Sequence, residues 1–297
     1  MMKMERVHII LVGLFLLVSI ASCSAANGNS SCFPAIYSFG DSLTDTGNAV
    51  ASNPLIFHQF NSLPYGETFF GKPTGRCSDG RLVIDFLATS LGLPFLPPYL
   101  KVGRMPFSSR STGVNFAVAG GTALDSSVLI SKGVISETPL SLNVQIRWFQ
   151  QMKINTCNQN SACEEHFSKA LYVFGEIGAN DYLDATMLLK PLSQIQGFTS
   201  PIIANIHGAL EQGAKNILVQ GIPPLGCSPA VLTLLNPNTI DKDDNGCLTS
   251  YNKISQNQNL LLQQTVQQLS IKYPGVSLVY ADYYKIALSI LNNAAKN

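Results

Sequence analysis

Short apolar runs alternate with amphipathic stretches along most of the chain. Five runs are apolar at nearly every position: residues 35–39 (AIYSF), 114–118 (VNFAV), 170–174 (ALYVF), 216–220 (NILVQ) and 276–280 (VSLVY). Such continuous runs are typical of strands that are buried on both faces, as in parallel sheets. The pattern therefore predicts five strands of a buried, mostly parallel sheet.

Amphipathic patterns fill the segments between these runs. They predict helices within residues 78–93, 141–153, 201–213 and 251–275. The first has a cap at Ser78 or Asp79 and a stop at Gly92, and the last is closed by Pro274 and Gly275. Strands that alternate with helices predict an α/β fold, a three-layer α/β/α sandwich around a mostly parallel central sheet.

Composition narrows the choice of partner. The chain has 297 residues, 46% of them apolar and 12% charged, with a formal charge of +1. This length and apolar content suffice for one large domain, which we expect over residues 26–297. The chain offers no run of Lys or Arg to bind phosphates, so we expect a small-molecule partner and no nucleic acid. The sequence does not indicate an oligomeric state.

The N-terminus has the pattern of a cleaved signal peptide. Lys3 and Arg6 precede an apolar run over residues 9–20, and small residues follow at 21–26. The alternative, an uncleaved membrane anchor, is less favoured because this run is shorter than the ~20 residues that a membrane span needs. We therefore expect residues 1–25 to be removed and the protein to be secreted, extracellular or vacuolar, with a glycan acceptor at Asn29.

Cysteine usage agrees with a secretory route. Removal of the signal peptide takes Cys23 away and leaves six cysteines: Cys32, Cys77, Cys157, Cys163, Cys227 and Cys247. Their spacing fits no zinc site, and an even number suits disulfides in an oxidising compartment. Six cysteines allow about 15 pairings. Two short polar loops favour Cys157 with Cys163 and Cys227 with Cys247.

Three polar segments follow predicted strands: residues 40–43 (GDSL), 119–122 (AGGT) and 175–181 (GEIGAND). In open α/β sheets, ligand sites gather at the carboxyl ends of the strands. Ser42, Gly120 and Asn180 would supply a hydroxyl, an unobstructed backbone N–H and a carboxamide, the groups that attack an ester carbonyl and hold its oxyanion. Each segment taken alone also fits an ordinary turn. A phosphate-binding turn at 119–123 is the less favoured alternative because no P-loop lysine follows.

The blocks FGDSLTDTGN, NFAVAGGTAL and GEIGANDY, followed by GIPPLGCSP and VYADYY, resemble the plant GDSL esterase/lipase family of the SGNH hydrolase superfamily. The resemblance runs in the same order over about residues 33–285. Within the family it is greatest to the branch of secreted esterases that includes acetylajmalan esterase. It implies a flavodoxin-like SGNH fold and a serine esterase or lipase that cleaves small-molecule acyl esters through an acyl-enzyme, with no metal or cofactor.

The resemblance also implies residue roles. Ser42 would be the nucleophile, and its own N–H, the N–H of Gly120 and the side chain of Asn180 would form the oxyanion hole. Ala179 stands where many relatives have glycine and Val118 where many have serine, and neither change removes a hydrogen-bond donor.

A further departure concerns the catalytic acid and base. Family members continue beyond VYADYY to an Asp-x-x-His block, and no such block occurs in the 297 residues. The expectation is a C-terminally truncated domain without the family's catalytic His and Asp. Asp282 is placed like a catalytic acid but fits a helix cap better. His58 falls in a predicted loop, whereas His166 and His207 fit ordinary helical positions.

Several functional alternatives therefore stay open. The first is an active esterase, or a close variant that passes the acyl group to an alcohol. The second is a non-catalytic protein that keeps the oxyanion pocket and binds its ligand without turnover, because a serine hydroxyl without a base is a weak nucleophile. A flavodoxin-like nucleotide binder is the least favoured.

Overall fold

The computed structural model describes residues 32–109, 111–157, 160–235 and 241–294. The predicted signal peptide, Cys23 and the Asn29 glycan acceptor lie outside these residues.

One parallel sheet of five strands forms the centre of the protein. Its strands are β1 (Ile36–Phe39), β2 (Gly113–Asn115), β3 (Leu171–Phe174), β4 (Asn216–Gln220) and β5 (Ser277–Ala281), in the spatial order β2-β1-β3-β4-β5. All five predicted strands are confirmed. β2 ends at Asn115 rather than at the predicted 118, and there the Asn115 Oδ1 atom accepts the Ala117 N–H at 2.8 Å. The Phe116 and Val118 N–H groups still donate to the Ser38 carbonyl at 2.7 Å and to the Gly40 carbonyl at 3.1 Å.

Helices cover both faces of this sheet. They are α1 (Asn48–Ser52), α2 (Val83–Ser90), α3 (Tyr99–Val102), α4 (Ser126–Ser131), α5 (Leu142–Cys157), α6 (Ser161–Lys169), α7 (Ala179–Met187), α8 (Leu192–Gln196), α9 (Thr199–Leu210), α10 (Pro229–Leu234), α11 (Thr249–Lys272) and α12 (Tyr283–Ala294). Short 3₁₀ turns occupy His58–Asn61, Phe107–Ser109 and Leu225–Cys227. The α/β sandwich with a mostly parallel sheet is confirmed.

Two apolar cores flank the sheet. The larger core packs α5, α9 and α11 against Tyr37, Phe39 and Phe174, which point to one face. The smaller packs α2 against Ile36 and Val173, which point to the other face. Alternate strand residues thus enter opposite cores, which is why the strand sequences are apolar at nearly every position.

The predicted helices are confirmed with one correction. The apolar positions at helical spacing in α5 and α9 are buried: Leu142, Ile146, Phe149, Met152, Ile202, Ile206 and Leu210. The prediction that the first helix begins at Ser78 or Asp79 is wrong, because α2 begins at Val83. There the Asp85 carboxylate accepts the Leu82 N–H at 2.9 Å, whereas the Ser78 hydroxyl accepts the Gly80 N–H of a separate turn.

Both favoured disulfides are present, Cys157 with Cys163 and Cys227 with Cys247. The Cys77 thiol is free and half-buried. Across the described ranges, no helix combines the length and the apolar character needed to cross a bilayer.

Candidate active site

The ends of β1 and β3 bring the first and third polar segments side by side. Phe39 lies opposite Phe174 in the parallel ladder, so Gly40 and Gly175 leave the sheet at the same level. A Cβ on Gly40 would lie 3.3 Å from the Gly175 Cα atom, and Gly40 has a φ of +144°. Two glycines therefore allow the loops to run in contact as they enter the site.

Ser42 lies in a tight turn after β1. The Asp41 carbonyl accepts the N–H groups of Thr44 at 3.1 Å and of Asp45 at 2.8 Å, and the Asp41 Oδ1 atom accepts the Leu43 N–H at 3.1 Å. Asp41 is buried and Ser42 is half-buried. Within the described part of the chain, no side chain is hydrogen-bonded to the Ser42 hydroxyl.

Asn180 connects the three segments. It lies in the first turn of α7, after Gly178, which takes a left-handed φ of +103°. Its Nδ2 atom donates to the Asp41 Oδ2 atom at 3.2 Å and to the Gly121 carbonyl at 2.9 Å. The carboxamide is thus held between the Ser42 turn and the Gly120 loop.

The Gly120 loop presents its backbone to the same region. Gly120 has a φ of +75°, and a Cβ there would lie 2.9 Å from the Oε2 atom of Glu137. Among the residues that the structure describes, neither the Gly120 N–H nor the Ser42 N–H has an acceptor. Two unpaired N–H groups on adjoining loops are the kind of hydrogen-bond donors from which an oxyanion hole is built.

Two buried aspartates fix the Gly120 loop from both sides. The Asp45 carboxylate accepts the Ala119 N–H at 2.9 Å as well as three N–H groups at the start of α1. Asp181 accepts the N–H groups of Ala123 at 2.7 Å and of Leu124 at 2.9 Å. The loop that carries Gly120 is therefore pinned to the Ser42 turn at one end and to α7 at the other.

Buried carboxyl groups dominate the electrostatics of this region. Burial raises the pKa of Asp41 to about 6 and that of Asp181 to about 7, although backbone N–H groups oppose both shifts. Burial also raises the pKa of Glu176 well above its usual value, with a second contribution from the charge of Asp41. Some of these groups therefore retain protons near neutral pH.

Comparison with known proteins decides the family. Residues 36–294 match the GDSL-like Lipase/Acylhydrolase family. The chain belongs to this family. A GDSL esterase/lipase from Arabidopsis thaliana is 40% identical over 273 residues, which are 89% of this chain and 73% of that relative. Acetylajmalan esterase from Rauvolfia serpentina is 42% identical over 266 residues, 87% and 67% of the two chains. Sinapine esterase from Brassica napus is 41% identical over 286 residues, 92% and 72% of the two chains.

In this GDSL-family chain, the loops of Ser42, Gly120 and Asn180 meet as expected for residues at the strand ends. The catalytic roles of the three residues stay predictions. The metal-free site also stays a prediction, although the described ranges hold no group of three His, Cys, Asp or Glu side chains arranged for a metal ion.

Two acidic neighbours of the site were missed in the sequence. Glu176 lies within the third segment, but its contact with Asp41 depends on the strand register. Glu137 comes from the irregular loop before α5 and carries no periodic signal. Burial and the charge of Glu137 together raise the pKa of Asp184, one turn after Asn180 on α7, to about 7.

The three histidines in the described ranges make their contacts away from Ser42. The His58 Nδ1 atom lies 3.2 Å from the Leu55 carbonyl, the His166 ring packs edge-on against Phe107, and the His207 Nδ1 atom lies 3.7 Å from a Glu211 oxygen. Asp282 accepts the Lys285 N–H at 3.1 Å. Its predicted role as a helix cap is confirmed.

A separate cleft of about 300 Å³ opens between α5, the end of α9 and the sheet. Phe149, Tyr172 and Phe174 line its floor and Lys153 its rim. None of its lining residues belongs to the site around Ser42, so we do not assign the esterase chemistry to it.

Proposed function

We propose that this chain is a carboxylic ester hydrolase in which Ser42 forms an acyl-enzyme. One observation carries the proposal: the unpaired N–H groups of Ser42 and Gly120 meet the Asn180 carboxamide beside a half-buried serine hydroxyl. Two unpaired N–H groups beside a nucleophile match the needs of a tetrahedral oxyanion. Asn180 adds a third donor when one of its two N–H groups leaves Asp41 or Gly121 for the substrate oxygen.

The proposed reaction has two steps. The Ser42 Oγ atom attacks the ester carbonyl, a Ser42–acyl bond forms, and the alcohol leaves with the serine proton. Water then cleaves the acyl bond, which releases the acid and restores the hydroxyl. The Ser42 and Gly120 N–H groups are fixed before the reaction and stabilise the oxyanion of each step without reorganising, and one such donor is typically worth about 10²-fold to 10³-fold in kcat.

The substrate we propose is an acyl ester of a small metabolite or a short-chain lipid. Two relatives that are more than 40% identical are named for single small molecules, acetylajmalan and sinapine. The half-buried position of Ser42 suits an ester that reaches it from solvent.

We also propose that the mature protein is secreted, as one domain from residue 26 onward. The signal-peptide pattern of residues 1–25 and two disulfides support this location. Mass spectrometry of the protein from plant cells tests the cleavage, because a chain that retains residues 1–25 would contradict it.

Hydrolysis of p-nitrophenyl acetate tests the esterase proposal. We expect Ser42→Ala to reduce the enzyme-dependent rate by at least about 10³-fold, because the nucleophile is lost. Ser90→Ala is the matched control, since Ser90 is exposed at the end of α2 and, among the described residues, its hydroxyl donates only to the Leu87 carbonyl. Equal rates for the protein and Ser42→Ala would contradict the proposal. Added alcohol separates hydrolysis from acyl transfer, because only transfer yields a new ester.

A ligand-binding protein without turnover is the second candidate. It is favoured by the described histidines, which contact Leu55, Phe107 and Glu211 rather than Ser42. A trifluoromethyl ketone binds both an active esterase and a binder with an intact pocket, whereas only the esterase releases p-nitrophenol. Tight binding without release would favour this second function.

A further inference from the structure

We propose that Glu176 is a positioning residue whose carboxyl group shares one proton with Asp41 and thereby holds the Ser42 turn and the Asn180 carboxamide in place. The catalytic part of this inference rests on the proposed function. The pairing of the two carboxyl groups does not, and it can be tested without turnover.

The strand register forces the two groups together. Phe39 lies opposite Phe174, so Asp41 and Glu176 are at the same level, two residues beyond each strand end. Contact between Gly40 and Gly175 keeps the loops close at that level. Asp41 is 1% exposed and Glu176 is 3% exposed, so both carboxyl groups lie out of reach of bulk water.

The contact needs a proton. The register and the burial of both residues place the two carboxyl groups together, and two ionised carboxylates have no hydrogen to donate, so a hydrogen bond between them requires a proton on one of them. Glu176 is the better carrier, because its Oε2 atom is buried without a partner in the described structure. A buried oxygen without a partner costs less free energy on a neutral carboxyl group than on a carboxylate.

Asp41 connects Glu176 to the proposed catalytic groups through two hydrogen bonds. Its Oδ1 atom accepts the N–H of Leu43, the residue after Ser42, at 3.1 Å. Its Oδ2 atom accepts from the Asn180 carboxamide at 3.2 Å. A shift of the Asp41 carboxyl group therefore moves the nucleophile turn and an oxyanion donor together.

Among the described residues, the charged groups that act on this pair are acidic. The Asp45 charge acts on Asp41, and the Asp181 charge acts on Glu176. Tyr283, on α12, also faces this pair. Burial and the charges of both carboxyl groups raise the pKa of Tyr283, so its phenol stays neutral. Loss of the shared proton would thus leave two like charges in contact in a region of low dielectric.

The sign of the pH dependence follows from the raised pKa values. Burial raises both carboxyl pKa values above those of the unfolded chain, so the pair carries at least one proton at low pH and loses its last proton as the pH rises. We expect Ser42 reactivity to decline on the alkaline side as the pair becomes doubly charged.

The test measures the rate at which a fluorophosphonate labels Ser42, from about pH 5 to about pH 9. We expect Glu176→Ala to slow labelling by about tenfold or more at low pH, because the Ser42 turn is no longer held. Glu176→Gln keeps a donor toward Asp41, so we expect recovery to within about threefold of the unmodified protein and no alkaline decline. Glu165→Gln is the control, since Glu165 is exposed on α6 and pairs with Lys169.

Labelling of Glu176→Ala at the normal rate, or an alkaline decline that persists in Glu176→Gln, would overturn the inference. Urea unfolding of the same variants gives a readout that needs no reactive serine. We expect the unfolding free energy to fall more steeply with pH in the unmodified protein than in Glu176→Gln. Equal slopes would overturn the pairing, whereas unequal slopes without Ser42 labelling would uphold it and refute the esterase proposal.

Discussion

The Glu137 side chain shows how one charged group beside Gly120 affects the electrostatics of the site. A carboxylate beside Gly120 opposes the negative charge that would develop there in the proposed ester cleavage. Burial raises the pKa of Glu137, and the raised value shortens the pH range in which this opposing charge is present.

Glu137→Gln should therefore increase kcat by about fivefold, the effect of about 1 kcal/mol of like-charge repulsion at a partly exposed position. The gain should appear above the raised pKa of Glu137 and vanish below it, where the unmodified residue is neutral. Rates of p-nitrophenyl acetate hydrolysis at low and high pH measure it. Glu67→Gln, at an exposed loop position, is the control. A gain that is the same at every pH would contradict the charge argument.

Gly120→Ala tests whether glycine is needed for the left-handed backbone conformation alone or also because a Cβ atom would crowd Glu137. The left-handed φ of +75° should cost about 1 kcal/mol for alanine, and crowding against Glu137 should cost about 1 kcal/mol more. Gly246→Ala is a matched control, because Gly246 has a φ of +76° and open space around a Cβ. Urea unfolding compares the two variants. Equal losses would show that the contact with Glu137 adds nothing.

At the scale of elements, strands were easier to predict than helix starts. The apolar runs match β1 to β4 because most of their residues are buried between the two helical layers, whereas the edge strand β5 is apolar but only half-buried. The start of α2 was predicted wrongly because a tertiary ion pair decides it: Asp85 accepts the Leu82 N–H while it binds buried Arg76 at 2.7 Å. Sequence spacing alone favoured Ser78, which caps a nearby turn.

Asp181 joins two elements, α7 and the Gly120 loop. Asp181→Ala should lower the unfolding free energy by about 2–4 kcal/mol, because it leaves the Ala123 and Leu124 N–H groups buried without acceptors. Asp184→Ala on the same helix should cost less than about 1 kcal/mol, since the Asp184 Oδ2 atom has no partner to lose in the described structure. Urea unfolding of both variants tests this, and similar losses would contradict a joining role for Asp181.

For the whole molecule, the sequence predicted the meeting point of the three segments but not the carboxyl groups packed around it. Ser42, Gly120 and Asn180 follow from strand order, because the carboxyl ends of parallel strands share one edge. The pairing of Glu176 with Asp41 required the register, and the approach of Glu137 required the path of an irregular loop. Such contacts are tertiary and leave no periodic trace in the sequence.

Buried carboxyl groups should also give the whole molecule an unusual pH dependence. The pKa values of Asp41, Asp181 and Asp184 are raised to about 6, 7 and 7, so each group favours folding below its unfolded pKa and loses that contribution as the pH rises through the raised value. We expect a lower urea midpoint at about pH 8 than at about pH 5. A midpoint that rises over this range would contradict the assigned shifts.

The central claim is that Ser42 is a nucleophile held beside an oxyanion hole built from three loops. Peptide mapping of the protein after fluorophosphonate treatment tests it most directly. The account predicts one adduct per chain, on the peptide that contains Ser42, and its absence from Ser42→Ala. An unmodified Ser42 under conditions that label a known serine esterase, or an adduct on another serine, would contradict it.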